Sequence, residues 1–471
     1  MMAMTSFTNQ QIIGESYGFH DGALSVIRKD GTIEFAGHTE RLTGIKHDKS
    51  RMPTEFIKHS EKTIYYERPF IKAARQWISG ERIEDVIIHR PWHREYVPHH
   101  WAHAAGAYYT RPHCWPVEPV CLVVDSVGEF DTASMWYKKE KVWSMKYPVS
   151  LGLFYSAVTK EIGFTPNRDE HLTMAMSALG SVNTVLLDWY EEMFETGACH
   201  KGFTNPFFKD ARLNRGVCAA TAQHFLEKKL VEMAFEASVY SPYLCYAGGV
   251  ALNCVANTKM RPYFEDMWIM PNPGDAGASL GAAAAFLDKP LIWKDPYLGF
   301  DPGVRMILNP KTIAKNILDM GAAGVISGRD EFGPRALGNR SILGDPRSRG
   351  AAVIRKIKNR DAFSPLAPAI LSEHFSEYFE GEQNEYMSYV NRCMHNHQDT
   401  IHVNNTARVQ SVMPGCRSIL REILEEWYEL TGCPFLINTS FNLEGKPMPG
   451  RIPDMDKLRN FEKEHRINVF A

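Results

Sequence analysis

Short apolar runs that stop at an aspartate or a glycine, each followed by a helix-length stretch, constrain this chain most. Val120–Val124 halts at Asp125, and Leu244–Ala247 halts at Gly248-Gly249. Helical periodicity fills the intervals at Ser150–Ile162, Thr184–Thr196, Val217–Glu236 and Gly277–Leu287. Buried strands separated by helices imply an α/β sheet with ligands at the carboxyl ends of the strands. Asp125 and Gly248 are expected at such ends. Ahead of this pattern, Ile12–Phe19, Ala23–Arg28 and Thr32–Ala36 read as a β-meander with turns at His20-Asp21-Gly22 and Lys29-Asp30-Gly31. Arg82–His89 reads as another strand.

Lys289–Pro310 is rich in Pro and Gly and reads as a linker or hinge. Beyond it the pattern restarts. Helix Thr312–Met320, strand Gly324–Ser327 and a long polar loop come first. Helix Ala351–Lys358, strand Ala367–Leu371, helix Cys416–Leu430 and strand Pro434–Asn438 follow. For 471 residues, about three domain-sized units are expected.

Several classes are excluded early. Lys and Arg number 53 against 55 Asp and Glu, a net charge of −2, which argues against a general duplex-DNA binder. The longest apolar run, Ala276–Leu287, falls short of the roughly 20 residues that span a bilayer, so no membrane partner is expected. Met1–Gln10 has neither a charged start nor a long apolar core, and the nine cysteines contain no CxxC pair. Reduced thiols and a cytoplasmic location are the expectation.

Four groups of residues could carry chemistry. His99 and His103 stand four apart, so on a helix both imidazoles share one face, the spacing for two ligands of one metal. A zinc protease would place Glu where His100 stands, so that reading fails. Two histidines are half a site; Asp125 and Asp275 are the candidate remaining ligands, unless these are capping or surface histidines and Asp275 a helix cap. Gly248, Gly249 and Asn253 form a strand-to-helix turn in which backbone N–H groups could approach a phosphate. Between Arg329 and Arg360, nine Arg or Lys oppose three Asp or Glu, a local charge of +6. Arginines among glycines suit phosphate oxygens, though a solvated basic loop has the same composition. Last, Lys358-Asn359-Arg360 and Asn438-Thr439-Ser440-Phe441-Asn442 are weak alone.

Taken in order, these segments resemble the O-carbamoyltransferase family of nodulation and antibiotic-tailoring enzymes. The resemblance is carried by G-E-S-Y-G-F-H-D-G-A, H-H-W-A-H-A-A, V-V-D-S-V-G-E, G-G-V-A-L-N, G-D-A-G, P-Y-L-G, G-P-R-A-L-G-N-R-S-I-L, T-A-R-V-Q and N-T-S-F-N, from about residue 13 to 447. It implies an actin-like ATPase (ASKHA) transfer domain over residues 1–300, like that of the tRNA threonylcarbamoyl transferase. It implies a YrdC-like domain over 301–471 that makes carbamoyl-adenylate from carbamoyl phosphate and ATP, with Mg2+. The intermediate then passes to the first domain and on to a small-molecule hydroxyl, of a sugar or metabolite. By position, His99, His103, Asp125 and Asp275 match the ligands of a divalent metal, iron in the family. His20 matches a histidine near the transfer site, a candidate base. Gly248, Gly249 and Asn253 match the nucleotide-facing segment. Arg335, Arg340, Lys358, Arg360, Arg408, Ser440 and Asn442 match positions around carbamoyl phosphate and ATP. Dimerisation is the assembly implied.

The chain also departs from the family. Leu172 replaces a lysine, Ser364 an arginine, and Arg111–Glu118 carries a small insertion. Two other readings stay open. A 5-hydroxymethylpyrimidine nucleotide or DNA base as acceptor would show itself by steep salt dependence. An actin-like kinase or ATPase would release ADP and phosphate, and a nonenzymatic nucleotide-binding protein would release nothing.

Overall fold

The computed structural model describes residues 11–19, 21–53, 62–80, 95–198, 202–303, 307–347, 349–359, 363, 365–443 and 446–471. These fall into two compact units. The larger holds 11–34 and 49–293; the smaller holds 35–48 and 294–471. The strand expected at Arg82–His89 lies outside the described residues, as do His20, Arg360 and Ser364.

The larger unit is built on two five-stranded sheets. One orders Ile33–His38, Ala23–Arg28, Gln11–Ser16, Lys62–Tyr65 and Glu95–Tyr96. The chain leaves the unit within the first of these strands. The other orders Asp266–Ile269, Tyr243–Ala247, Val120–Gly128, Asp131–Tyr137 and Glu140–Lys146. Helix Asp275–Leu287 packs on the first sheet and helix His99–Thr110 on the second, and the two helices pack on each other. Sequence permits this close layering. An added Cβ at Gly281 would lie 1.7 Å from Ala102 O, and one at Gly14 would lie 1.8 Å from Ser279 O. Glycine at these crossings lets backbones touch where any side chain would hold them apart.

The smaller unit is a mixed six-stranded sheet ordered Gln410–Val412, Pro368–Leu371, Phe435–Ser440, Arg340–Gly344, Ala322–Ile326 and Asn468–Phe470. Strand alternation divides its core between two faces. Leu343 and Leu436 join Ile313, Ile317, Leu424 and Trp427 from helices Pro310–Met320 and Leu420–Thr431. Ile342 and Ile437 join Ile354, Leu458 and Phe461 from helices Gly350–Lys358 and Met455–His465.

Three expectations change. Val120–Val124 does not end at Asp125; the strand runs to Gly128 through a register shift after Val124. The helix expected from Cys416 begins at Leu420. The polar loop after Ser327 contains the wholly buried strand Arg340–Gly344, which has only two large apolar residues and so shows no strand pattern. Lys289–Pro310 holds the boundary between the two units, which falls between Trp293 and Lys294; its described residues form no named strand or helix before Pro310, and Leu291, Tyr297, Leu298 and Phe300 are buried.

Candidate metal centre and anion site

The candidate metal centre lies in the larger unit, where helix His99–Thr110 begins beside strand Val120–Gly128 and helix Asp275–Leu287. His99, His103, Asp125 and Asp275 are buried, and one ligand atom from each lies within 4.8 Å of the others. His99 Nε2 is 3.3 Å from Asp125 Oδ2 and 3.4 Å from Asp275 Oδ1; His103 Nε2 is 3.2 Å and 3.1 Å from the same oxygens. The two Nε2 atoms are 3.1 Å apart. Donors 2.1 Å from a common ion stand about 3.0 Å apart at right angles and about 3.4 Å apart in a tetrahedron. The spacing and the two-nitrogen, two-oxygen donor set therefore fit a first-row divalent cation.

Local structure aims each donor. The four-residue spacing places both imidazoles on one helix face, and Nδ1 of His103 lies 3.1 Å from Pro273 O, which leaves its Nε2 lone pair for the centre. Asp125 Oδ1 accepts from Ser126 N at 2.7 Å and Gly249 N at 3.3 Å, which turns Oδ2 inward. Gly128 leaves room for the His99 ring, because a Cβ there would lie 2.1 Å from His99 Cδ2. Asp275 is the first residue of its helix, after Gly274, rather than a cap to a helix starting at Gly277.

Electrostatics follow from burial. Burial opposes charge on His99, but Asp275 and contacts with Asp125, Asp275 and Glu67 outweigh it and raise its pKa well above the ordinary value. Burial likewise works to raise Asp125, yet contacts from His103 and His99 hold that carboxyl well below the carboxylate range. His100 differs. Burial, and then the neighbouring His99 charge, push it down to about 3, and its Nδ1 lies 2.8 Å from Ser134 Oγ. The middle histidine is therefore neutral and turned to a different partner.

The Gly248-Gly249 turn supports this centre directly. Gly248 has φ 95°, and a Cβ would lie 2.2 Å from Val124 O. Its N–H donates to Pro273 O at 2.9 Å. Asn253 caps helix Cys254–Met260 through Ala256 N and exchanges two hydrogen bonds with Gln223. Its amide is thus engaged within the protein.

In the smaller unit the structure brings Lys358, Ser440 and Asn442 together. Lys358 Nζ donates to Ser440 O at 2.8 Å, to Ser440 Oγ at 3.1 Å and to Asn442 Oδ1. Arg408 Nε is buried with no hydrogen-bond partner among the described residues, and Arg335 is half-buried. Arg340 departs from its expected role. It is wholly buried, and its guanidinium donates to the carbonyls of Ser327, Gly328, Asn339, Phe300, Pro449 and Gly450. That side chain ties loops together. The +6 stretch is partly spent in the same way: Arg329 donates to Leu298 O and Gly299 O, and Arg347 pairs with Asp345 at 3.0 Å.

Sequence reasoning missed the groups around the metal donors. Glu129, at φ 57°, accepts from Arg68 N at 2.7 Å and from the Arg68 guanidinium, and lies 3.4 Å from His99 N. It closes the quoted V-V-D-S-V-G-E segment, which was the available signal. Glu67 had no signal.

Comparison with known proteins agrees with the motif reading. A family profile described as the carbamoyltransferase N-terminus matches residues 86–284, and one described as the carbamoyltransferase C-terminus matches 314–467. An uncharacterized protein of Methanocaldococcus jannaschii is 31% identical, covering 77% of this chain and 70% of its own length. Nodulation protein NolNO of Sinorhizobium fredii is 25% identical, covering 92% and 76%. Among solved structures, the activator of the 2-hydroxyisocaproyl-CoA dehydratase from Clostridium difficile covers 59% of this chain and 94% of that one, at 13% identity and a TM-score of 0.34. At that distance the likeness says nothing about function.

Proposed function

Because the chain belongs to the carbamoyltransferase family, we propose that it is an ATP-dependent O-carbamoyltransferase with two chemical stations. In this reading the smaller unit is YrdC-like: the C–O bond from the carbamoyl carbon to phosphate breaks, inorganic phosphate leaves, and the carbamoyl group is joined to AMP from ATP with release of pyrophosphate. The larger unit is actin-like and passes the carbamoyl group to a hydroxyl of a small molecule, a sugar or another metabolite.

The buried His99–His103–Asp125–Asp275 cluster carries the reading. Four ionisable side chains at the tight crossing of two helices are costly to bury without a cation to share. His99, His103, Asp125 and Asp275 would hold a divalent ion, iron in this reading, which would supply Lewis-acid polarisation of the carbamoyl carbonyl. The chain's own residues do the rest. Ser126 N and Gly249 N fix the Asp125 carboxylate, and Pro273 O fixes the His103 ring. His20 takes the proton of the acceptor hydroxyl, whose high pKa makes a base useful as the new bond forms. Lys358, with Ser440 and Asn442, meets phosphate oxygens of carbamoyl phosphate and Mg2+-bound ATP.

The test is product analysis with carbamoyl phosphate, ATP, Mg2+, Fe2+ and a panel of hydroxylated metabolites and nucleotides. The expected products are AMP, pyrophosphate and inorganic phosphate released only when carbamoyl phosphate is present, and an acceptor heavier by one carbamoyl group. ADP and phosphate as sole products would instead assign an ATPase, and ADP with a phosphorylated acceptor a kinase. A His99→Ala/His103→Ala double variant that keeps full transfer would remove the metal from the mechanism.

A further inference from the structure

Glu67 lies in the short connection between strand Lys62–Tyr65 and helix Pro69–Ile78, and it is 1% exposed. Its two carboxylate oxygens face different groups. Oε1 accepts from Lys72 Nζ at 3.1 Å and from Tyr65 OH at 3.2 Å. Oε2 faces His99 Nδ1 at 3.6 Å. That Nδ1 is buried and makes no hydrogen bond among the described residues, while Nε2 of the same ring faces Asp125 and Asp275. Tyr66 packs against the same imidazole, with ring centroids 5.1 Å apart.

We infer that Glu67 is the positioning residue of the metal centre, accepting a hydrogen bond from His99 Nδ1 when a divalent cation binds Nε2. The inference rests on the metal reading of the preceding subsection. Three observations support it. A metal-bound imidazole keeps its remaining N–H, and a buried N–H needs an acceptor. Glu67 Oε2 is the carboxylate oxygen facing that atom, and the gap closes with a ring movement of about half an ångström. Lys72 supplies the countercharge, being 12% exposed and paired to the opposite oxygen, so that a third carboxylate beside Asp125 and Asp275 can stay ionised in a buried site. The relay runs Lys72 to Glu67 to His99. It fixes both the tautomer and the orientation of the ligand.

The experiment titrates the full-length protein with Co2+, reading the ligand-field absorption and obtaining affinity by chelator competition. Wild type, Glu67→Gln and Glu67→Gln/Lys72→Met are compared, with unfolding temperature recorded in excess chelator. Both variants are expected to bind Co2+ 10- to 100-fold more weakly. The double variant, which leaves no buried lysine without its carboxylate, keeps the wild-type unfolding temperature to within a few degrees. Wild-type affinity in Glu67→Gln overturns the inference. So does full recovery of affinity in the double variant, because the loss would then come from Lys72 alone. If Glu67→Gln does not fold, the double variant decides the matter by the same criterion. A wild-type protein that takes up no Co2+ refutes the metal reading itself, a different outcome from a wild type and variants that bind alike.

Discussion

A Gly281→Ala substitution reports on what sets the spacing of the four donors. Gly281 sits in the same helix as Asp275, facing the backbone of helix His99–Thr110. An added methyl carbon would lie 1.7 Å from Ala102 O, 2.8 Å from Ala102 C and 2.8 Å from Gly106 N. Carbon and oxygen approach no closer than about 3.3 Å, so the helices must part by about 1.5 Å there. All three atoms are main chain in a regular helix, so no rotamer change absorbs the clash. His103 follows Ala102 directly, and its Nε2 is 3.1 Å from Asp275 Oδ1. Metal sites hold their distances to about 0.2 Å, so a fraction of that parting breaks the donor set. Alanine brings about 1 kcal/mol of helix propensity, while overpacking costs about 1–3 kcal/mol. The expected result is a small fall in unfolding temperature in chelator, with at least a tenfold loss of Co2+ affinity by equilibrium dialysis. Gly274→Ala is the control, because nothing lies within 4 Å of its added carbon. A Gly281→Ala protein with wild-type affinity would falsify the claim that the helix crossing sets donor spacing.

Other expectations concern the smaller unit. Arg340→Met leaves six carbonyls without their common donor and should cost on the order of 3–5 kcal/mol in urea unfolding; a change below 1 kcal/mol would contradict its role as a tie between loops. Burial raises Asp330 from 3.8 to about 6 against the pull of Arg41 and Arg340, with Glu331 adding to the rise. A folded-state pKa above the unfolded value means that its stabilising contribution is present below about pH 4 and lost as pH rises through about 6. The loss is of order 3 kcal/mol, and it should be absent from Asp330→Asn; parallel stability–pH curves for the two proteins would refute it. Lys358→Ala should reduce carbamoyl-phosphate-dependent pyrophosphate release at least tenfold while leaving Co2+ uptake intact, and loss of both would point to misfolding.

Local patterns were legible where the signal is periodic. Four-residue spacing placed His99 and His103 on one helix face, and the flanking turn residues located Ala23–Arg28 to the residue. The hairpin of Asp131–Tyr137 and Glu140–Lys146 went unread because its turn is Lys138-Lys139, both at positive φ, where Asn or Gly is the usual marker. Strand Arg340–Gly344 looked like part of a basic loop because its arginine finds its hydrogen-bond acceptors in carbonyls from distant segments.

From sequence alone came the α/β class, the family resemblance and the identity of four candidate metal ligands, because residue type and short-range spacing encode them. Only tertiary structure decided that Asp125 and Asp275, 150 residues apart, meet the two histidines at 3.1–3.4 Å. It also decided that Glu67 stands behind His99, and that Arg340 is spent on the fold. Those outcomes depend on which backbones can touch, and that is set by small residues such as Gly281 and Gly128, whose effect appears only when a distant segment is packed against them.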